Sequence, residues 1–305
     1  MIQRYYDLAT YLRQRFGCRV QKISIDAGLS CPNRDGTLSS DGCIFCNAYG
    51  SGTGACQKGL SITQQVLNSR QALARRYKAK KFIAYFQSFT NTYAPVDKLR
   101  RLYDEALAVD DMVGLSIGTR PDCINPAVLS LLEEYTRNYL VWIEYGLQSA
   151  HDETLALINR GHNVKAFAQA VAATRNRGID ICAHVILGLP NETREKMLET
   201  ASYLSDLGID GIKLHLLYVV KGTALERMYL SGRYECLSQA EYVDIVCDFL
   251  ARLPENMVIQ RLTGDPHPNE LVAPAWSLHK AETLNRIRQT LADRGLRQGC
   301  QYKKA

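Results

Sequence analysis

The sequence has no long hydrophobic segment. None of its apolar runs approaches the ~18 consecutive residues that a membrane-spanning helix needs. The N-terminus also has no signal-peptide pattern, and internal repeats and low-complexity linkers are absent. With 46% apolar and 22% charged residues, the chain has the balance of a globular protein rather than of a disordered one. We therefore expect a folded cytoplasmic protein that has no membrane partner.

Ten cysteines are present, but a chain without a secretion signal is expected to keep its thiols reduced. A disulfide framework is therefore not predicted. Most of the cysteines show no ligand spacing, and Cys182 and Cys247 lie in apolar runs, where a cysteine is usually a small buried side chain. Three cysteines differ from the rest: Cys31, Cys43 and Cys46 form a C-x11-C-x2-C pattern in a polar loop.

Six short runs rich in Val and Ile alternate with amphipathic helical patterns. The runs lie at 20–26, 82–87, 113–118, 139–145, 180–187 and 208–216. This alternation predicts an α/β fold in which helices surround a parallel sheet. The period alone leaves open whether the sheet closes into a barrel. In both cases the site is expected at the carboxyl ends of the strands, where the βα loops meet.

The rhythm changes after about residue 225, where a further strand at 257–262 and a last helix at about 277–294 follow. We therefore expect a core at 1–225, including an N-terminal helix, and a C-terminal α/β extension at 226–305. The formal net charge is +6, and residues 276–305 alone carry a net +5. A second basic run, 70–81, has six cations and no acid. Both segments fit either a phosphate-binding surface or ordinary solvated helix faces.

The cysteine loop permits two metal chemistries. Three thiolates suit a [4Fe–4S] cluster that keeps one iron free for an external ligand. The alternative is a structural zinc site, which needs four ligands, and the fourth could be Cys18 or Cys56 because no histidine is nearby. C-x2-C spacing is common to both chemistries, so the spacing does not decide between them.

Several longer motifs resemble one known family. A three-cysteine loop after the first strand, with Phe45 before the last cysteine, resembles the radical S-adenosylmethionine (radical SAM) superfamily. Its long spacing is typical of the branch that contains the catalytic subunit of Elongator and the short bacterial YhcC/YtqA type. The resemblance extends over nearly the whole chain, through CPNRDGT, AYFQSFTNTYAP, GLSIGTRPDC, EYGLQSAHDETLALINRGH, HVILGLPNET and GIKLHLLYVVKGT.

The resemblance implies a partial (β/α)6 TIM-like barrel that holds a [4Fe–4S] cluster and S-adenosylmethionine. Cys31, Cys43 and Cys46 are then the metal ligands and the catalytic cysteines. One-electron cleavage of S-adenosylmethionine at this cluster gives a 5′-deoxyadenosyl radical, which abstracts hydrogen from a C–H bond. Such a cluster is expected to be oxygen-sensitive.

The resemblance also implies a set of contacts with S-adenosylmethionine. They are Phe45, His184 and Leu187 at the adenine, Gln87 and Ser88 at the methionyl amino group, Glu144 and Gln148 near the ribose, and Arg160 at the methionyl carboxylate. Structural roles are the alternative: Gln148 and Arg160 could bind loop backbone, Glu144 and Arg160 could pair with each other, and His184 could be a core histidine.

A tRNA substrate follows from the same resemblance. The Elongator relative acts on the wobble uridine, and the short bacterial family resembles enzymes that process carboxymethylaminomethyl at uridine C5 towards aminomethyl. Reduced flavodoxin or ferredoxin is the expected electron donor. Candidate substrate contacts are Arg120, Lys213, His215 and, in the last helix, Arg286, Arg288 and Arg294. The alternatives are a radical SAM enzyme acting on a protein or small molecule, and a zinc-stabilised, non-catalytic RNA-binding protein.

Overall fold

Seven parallel strands form one curled sheet, an open half-barrel. The computed structural model describes residues 3–47, 50, 55, 56 and 58–303. The strands are β1 (Val20–Ile25), β2 (Lys81–Phe86), β3 (Met112–Thr119), β4 (Leu140–Gln148), β5 (Asp180–Leu187), β6 (Gly211–Leu216) and β8 (Val258–Arg261). Their order in the sheet is β1-β2-β3-β4-β5-β6-β8. A small antiparallel pair joins β7 (Val219–Val220) to β9 (Leu271–Ala273). The predicted partial barrel is confirmed, and the strand expected in the C-terminal extension is its seventh member.

Ten helices occur within the described residues. They are α1 (Leu8–Phe16), α2 (Ile62–Tyr77), α3 (Val96–Leu107), α4 (Pro126–Thr136), α5 (Asp152–Leu157), α6 (Val164–Thr174), α7 (Arg194–Leu207), α8 (Ala224–Leu230), α9 (Gln239–Arg252) and α10 (Lys280–Asp293). Local sequence sets their ends: Ser238 and Glu241 form the predicted capping box of α9, and Gly208 ends α7 with φ 60°.

The predicted boundary at 225/226 falls within α8, and the division into two parts stays a prediction. In the part of the chain that the structure describes, no helix is long and apolar enough to cross a membrane.

The two faces of the sheet have different surroundings. Outward side chains such as Ile23, Phe86 and Ile143 join the main core beneath the helices. The amino-terminal end of the lumen is closed by a separate apolar cluster. Trp142 lies at the centre of this cluster, together with Ile83, Cys182, Val258 and Leu12 of α1. The floor of the half-barrel is therefore a packed plug, because a helix covers it from below.

A polar layer lies above this plug and is centred on Glu144 of β4, which is fully buried. Lys22 of β1 donates to Oε1 of Glu144 at 2.5 Å, and His184 of β5 bonds to Oε2 at 2.6 Å. Ser116 of β3 and Lys213 of β6 also donate to this carboxylate. Five strands thus meet at one side chain. Burial by itself disfavours the charged carboxylate, but the cations of Lys213 and Lys22 and the hydrogen bond from His184 hold the pKa of Glu144 well below its usual range.

The same layer joins the two edges of the open sheet. Nζ of Lys22 on edge strand β1 donates to Oε1 of Gln260 on edge strand β8 at 2.6 Å. Below this contact the backbone N–H of Ile259 donates to the carbonyl of Tyr6 at 2.8 Å. The half-barrel is therefore closed across its gap by one lumen hydrogen bond and by the chain that enters α1.

Removing the central carboxylate is expected to destabilise the fold strongly. In Glu144→Gln, the ammonium groups of Lys22 and Lys213 stay buried without their counter-charge, so the free energy of unfolding falls by about 3–5 kcal/mol. Glu133→Gln is the control, because Glu133 pairs with Arg177 at the surface, and we expect a change below about 1 kcal/mol. Chemical denaturation measures both. A loss in Glu144→Gln no larger than that of the control would show that the lumen network does not hold the barrel together.

Candidate active site

The three-cysteine loop lies between β1 and α2, at the carboxyl ends of the strands. Cys31, Cys43 and Cys46 line one cavity of about 1150 Å³ that continues down into the lumen. Cys31 and Cys43 are buried, and Cys46 is half-buried. The structure therefore brings the predicted ligands together at the mouth of the barrel, where this fold class places its sites.

Side-chain N–H groups point at two of the sulfur atoms. Nδ2 of Asn33 and an Nη of Arg160 each lie 3.6 Å from Sγ of Cys43. An Nη of Arg34 lies 3.5 Å from Sγ of Cys46. Donors of this kind stabilise a thiolate and tune the potential of an iron–sulfur cluster that the thiolate binds. The contacts of Asn33 and Arg34 with the sulfur atoms, and that of Arg160 with Cys43, were not predicted from the sequence.

Two buried polar atoms beside these sulfurs have no hydrogen-bond partner among the residues that the structure describes. They are Nε of Arg160 and Oδ1 of Asn33, and an unsatisfied buried polar atom is costly. Burial raises the pKa of the Cys46 thiol to about 11, with neighbouring Cys43 adding to the rise and Arg34 opposing it. A bound metal would replace that proton. The donor set and the orphaned atoms fit a bound cluster with a polar ligand beside it.

The other cysteines near the loop differ in their distance from the mouth. Among the described residues, no three His, Cys, Asp or Glu side chains converge so as to hold a single metal ion, and this includes Cys31, Cys43 and Cys46, which line one cavity without converging on one point. Cys18 precedes β1 and packs at the apolar floor, about 20 Å from the mouth at the rise of a six-residue strand. Cys56 lies against Gly28 near the mouth, and its backbone N–H donates to Asp26. Cys182 and Cys247 are fully buried, as predicted.

Arg160 is held in place by the loops around it. Its Nη donates to the carbonyl of Gly146 at 2.9 Å, and its own carbonyl accepts from Arg120 at 2.7 Å. Arg120 in turn makes a two-point ion pair with Asp122. A Cβ at Gly146 would lie 2.5 Å from Arg160 and 2.6 Å from Gln148, so glycine leaves the room that both side chains occupy. The geometry gives Arg120 a positioning role, and its predicted contact with substrate stays a prediction.

Three other predicted cofactor residues line the same mouth. They are Phe45, Gln87 and Gln148, and Gln148 adopts φ 77°, which is rare outside glycine. The fourth, Ser88, follows Gln87 but is buried and is not part of the cavity wall, and its Oγ has no hydrogen-bond partner among the described residues. The contacts of all four with S-adenosylmethionine stay predictions.

Two predicted placements are wrong. The predicted strand 139–145 puts Glu144 near its end, but β4 continues past Gly146 and pairs with β5 as far as Gln148. Glu144 is therefore a mid-lumen group, and it does not pair with Arg160. Leu187 points away from the lumen into the core beneath the helices, and its neighbour Ile186 lines the cavity instead. Alternation along the strand explains this, since successive side chains point to opposite faces.

Several lumen residues were missed. They are Lys22, Tyr85, Ser116, Gln260 and Arg261. A signal existed in the sequence, because Lys22 and Lys213 are charged residues at inward positions of otherwise apolar strands. The predicted lysine Lys213 lies in the polar layer, with its Nζ 4.0 Å from the centre of the Tyr85 ring. The ring of the predicted residue His215 lies 5.7 Å from that of Tyr218 and is tilted by 42° to it.

The basic segments are distant from the mouth or partly neutralised. Lys280 at the start of α10 lines the cavity, whereas Arg294 lies fourteen residues later, about 21 Å along the helix axis. Arg294 pairs with Asp248 at 2.6 Å, and Arg286 pairs with Glu282 at 2.8 Å. Arg288 is exposed and bonds to Asn285. The run 70–81 leads into the amino end of β2, which is the floor end of the barrel. Lys304 lies outside the described residues.

Both lumen histidines are neutral at physiological pH. Burial lowers the pKa of His184 to about 4, although its hydrogen bond to Glu144 opposes the effect. Burial and the nearby Arg261 cation hold the pKa of His215 well below its usual range. Because the Glu144 carboxylate only accepts, neutral His184 donates from Nε2 and leaves Nδ1 as an acceptor.

We expect the His184 ring to titrate near pH 4 in the folded protein, against about 6.5 for an unperturbed histidine. Since the unfolded chain binds the proton more readily, this group makes the free energy of unfolding decrease as the pH falls from about 6.5 to about 4. NMR titration of labelled histidines measures the value, and His184→Gln assigns the signal. A midpoint near 6.5 would contradict the buried, lysine-flanked geometry.

Comparisons with known proteins agree with this geometry. The Radical SAM superfamily pattern matches residues 31–204, and the Radical SAM C-terminal domain pattern matches 209–293. YtqA of Bacillus subtilis is 43% identical over 97% of this chain and 92% of its own length. YhcC of Escherichia coli is 37% identical over 93% of this chain and 91% of its own.

Two longer proteins are similar to this chain over part of their own length. Human Elongator complex protein 3 is 31% identical over 50% of this chain and 28% of its own length. The structure of Elp3 from Methanocaldococcus infernus matches with a TM-score of 0.70 at 16% identity, covering 92% of this chain and 64% of that one, and this likeness shows the fold. The chain therefore belongs to the radical SAM superfamily, whose enzymes use a [4Fe–4S] cluster and S-adenosylmethionine.

Proposed function

We propose that this radical SAM protein converts the carboxymethylaminomethyl group at C5 of a tRNA wobble uridine to aminomethyl. The observation that carries the proposal is the shared cavity of about 1150 Å³, which has the three cysteines on one side and the charged lumen on the other. Ligand pockets usually enclose about 300–1,000 Å³. This cavity therefore has room for S-adenosylmethionine together with a substrate side chain.

The residues at the mouth have distinct proposed tasks. Cys31, Cys43 and Cys46 hold the cluster, and Asn33, Arg34 and Arg160 donate to its thiolates. When bound, the cluster and S-adenosylmethionine supply a carbon radical that takes a hydrogen atom from a substrate C–H bond. Arg160, which lines the cavity, is the proposed contact of the methionyl carboxylate, and Gln87, with the buried Ser88 beside it, is the proposed contact of the amino group.

The proposed conversion is balanced without a further oxidant. The carbon between the carboxylate and the nitrogen loses two electrons, water adds to the resulting C=N bond, and the two-carbon fragment leaves as glyoxylate. The same two electrons account for the reductive cleavage of S-adenosylmethionine to methionine and 5′-deoxyadenosine. A reduced flavodoxin or ferredoxin is the proposed source of the initial electron. The proposed location of the enzyme is the cytoplasm, where such donors would meet it.

The depth of the lumen supports a substrate that extends into the protein. Glu144, Lys213 and His184 lie on the strands below the mouth, so a group that reaches them must enter past the cysteine loop. A nucleotide turned out of its stack can do this. At the surface, Arg288 of α10, which bonds to the neutral Asn285, and Arg286, whose partner Glu282 is itself exposed, are the proposed contacts with the RNA backbone. Arg294 is instead held by the mostly buried Asp248.

The test uses anaerobically reconstituted protein, S-adenosylmethionine, a reductant and tRNA that carries carboxymethylaminomethyluridine. We expect aminomethyluridine, glyoxylate and 5′-deoxyadenosine in equal amounts, measured by mass spectrometry. Cys43→Ala should abolish all three products, and Cys300→Ala, which changes an exposed thiol, should leave them unchanged. Formation of 5′-deoxyadenosine with unaltered tRNA nucleosides would contradict the proposed substrate.

A further inference from the structure

An irregularity in the last barrel strand brings two neighbouring side chains to the lumen. The pairing of β6 with β8 shifts at Lys213, so that Ile212 pairs with Ile259 while Lys213 pairs with Arg261. A bulge of this kind re-aims side chains that would otherwise alternate. As a result, both Gln260 and Arg261 line the cavity. These residues lie on edge strand β8, across the gap of the half-barrel from Lys22 of β1.

The lumen around this bulge has more positive than negative charge. Its cations are Lys22, Lys213 and Arg261, and its buried acid is Glu144, which already bonds to both lysines. His184 and His215 are neutral and do not alter this balance. Two acids at the rim are occupied, since Asp265 pairs with Lys280 at 2.7 Å and Glu270 accepts from Asn47 at 3.0 Å.

Two donors at the bulge are available to a ligand. Nε of Arg261 donates to the carbonyl of Thr263 at 2.6 Å, and within the described residues its guanidinium has no carboxylate at ion-pair distance. Nε2 of Gln260 is buried and has no hydrogen-bond partner in the described part of the chain, although Oε1 of the same amide accepts from Lys22. A buried amide left unsatisfied costs about 1–3 kcal/mol. An acceptor with two oxygen atoms would satisfy both residues.

An aromatic pair lies beside these donors. The rings of His215 and Tyr218 are 5.7 Å apart, tilted by 42°, and both line the cavity, and a Cβ at Gly264 would lie 2.7 Å from the Tyr218 ring. Glycine therefore lets the backbone lie directly against this aromatic pair. Such a surface suits a planar ring, with a charged substituent of that ring directed towards Arg261.

We propose that Arg261 and Gln260, with Lys213 behind them, bind the carboxylate of the substrate side chain. This assignment rests on the proposed function, because it gives the carboxymethyl group of the modified uridine its binding site. It is separate from the position of Arg160, which lies against Cys43 beside the proposed cofactor. A carboxylate fits better than a backbone phosphate, since the donors lie inside the lumen rather than on the outer surface.

The test compares two anticodon stem-loop RNAs that differ only in this group, one with carboxymethylaminomethyluridine and one with aminomethyluridine. Binding to the reconstituted holoprotein is measured without reductant. We expect wild type to prefer the carboxylate RNA and Arg261→Gln to lose about ten- to a hundred-fold of its affinity for that RNA alone. Arg261→Lys should retain part of the preference. Arg137→Gln, which changes an exposed cation on another face, is the control.

Other results of these binding measurements would overturn the assignment of Arg261. No preference in wild type, or an unchanged preference in Arg261→Gln, overturns the assignment. Equal loss for both RNAs indicates a phosphate contact and also overturns it. A weakened affinity for S-adenosylmethionine in Arg261→Gln would show that the residue binds the cofactor instead. An unaltered cluster signal in electron paramagnetic resonance checks that the variant is intact.

Turnover separates this inference from the proposed function. If the RNA is never converted but wild type keeps an Arg261-dependent preference for the carboxylate, the conversion is wrong and the anion site stands. If Arg261→Gln converts the RNA with wild-type kcat and KM, the conversion stands and the site is wrong.

Discussion

The buried carboxylate of Glu144 is the interaction on which the rest of the lumen depends. It accepts from side chains of four other strands, β1, β3, β5 and β6, and through Lys22 it is connected to Gln260 on the far edge. An open half-barrel has no continuous ring of backbone hydrogen bonds to fix its curvature. Here one ionised group, held by two ammonium groups, links five strands and spans the gap between the sheet edges. Neither charge is tolerable without the other in this interior.

This polar layer also divides the lumen by function. Below it, Trp142 and its apolar neighbours seal the floor, and above it the cavity widens towards the cysteine loop. Burial, together with the neighbouring lysine and arginine cations, keeps the histidines of this layer neutral. The surplus positive charge of the layer therefore comes from Lys22, Lys213 and Arg261, and it faces the space where a substrate group would lie. The stabilising network and the proposed specificity are thus properties of the same few side chains.

The sequence was sufficient for the architecture and for the three cysteines that share the cavity. Periodic Val and Ile runs identified the strands, and the C-x11-C-x2-C spacing identified the cysteines that share the cavity. What it could not provide was the partner of each lumen side chain. Lys22 and Gln260 are 238 residues apart, and only the curvature of the sheet brings them together. The bulge that directs Arg261 inward depends on strand pairing. Glu144 was assigned to a strand end because Gly146 resembles the start of a loop, whereas the strand continues past that glycine.

We propose above all that Cys31, Cys43 and Cys46 hold a cluster at which S-adenosylmethionine binds. Electron paramagnetic resonance of the reduced, anaerobically reconstituted protein, before and after adding S-adenosylmethionine, tests it most directly. We predict about four irons per chain, a cluster signal that S-adenosylmethionine changes, and loss of that signal on replacing any of the three cysteines by alanine. Cys18→Ala and Cys56→Ala should keep it. Zinc in place of iron, or a cluster signal that S-adenosylmethionine leaves unchanged, would contradict the account.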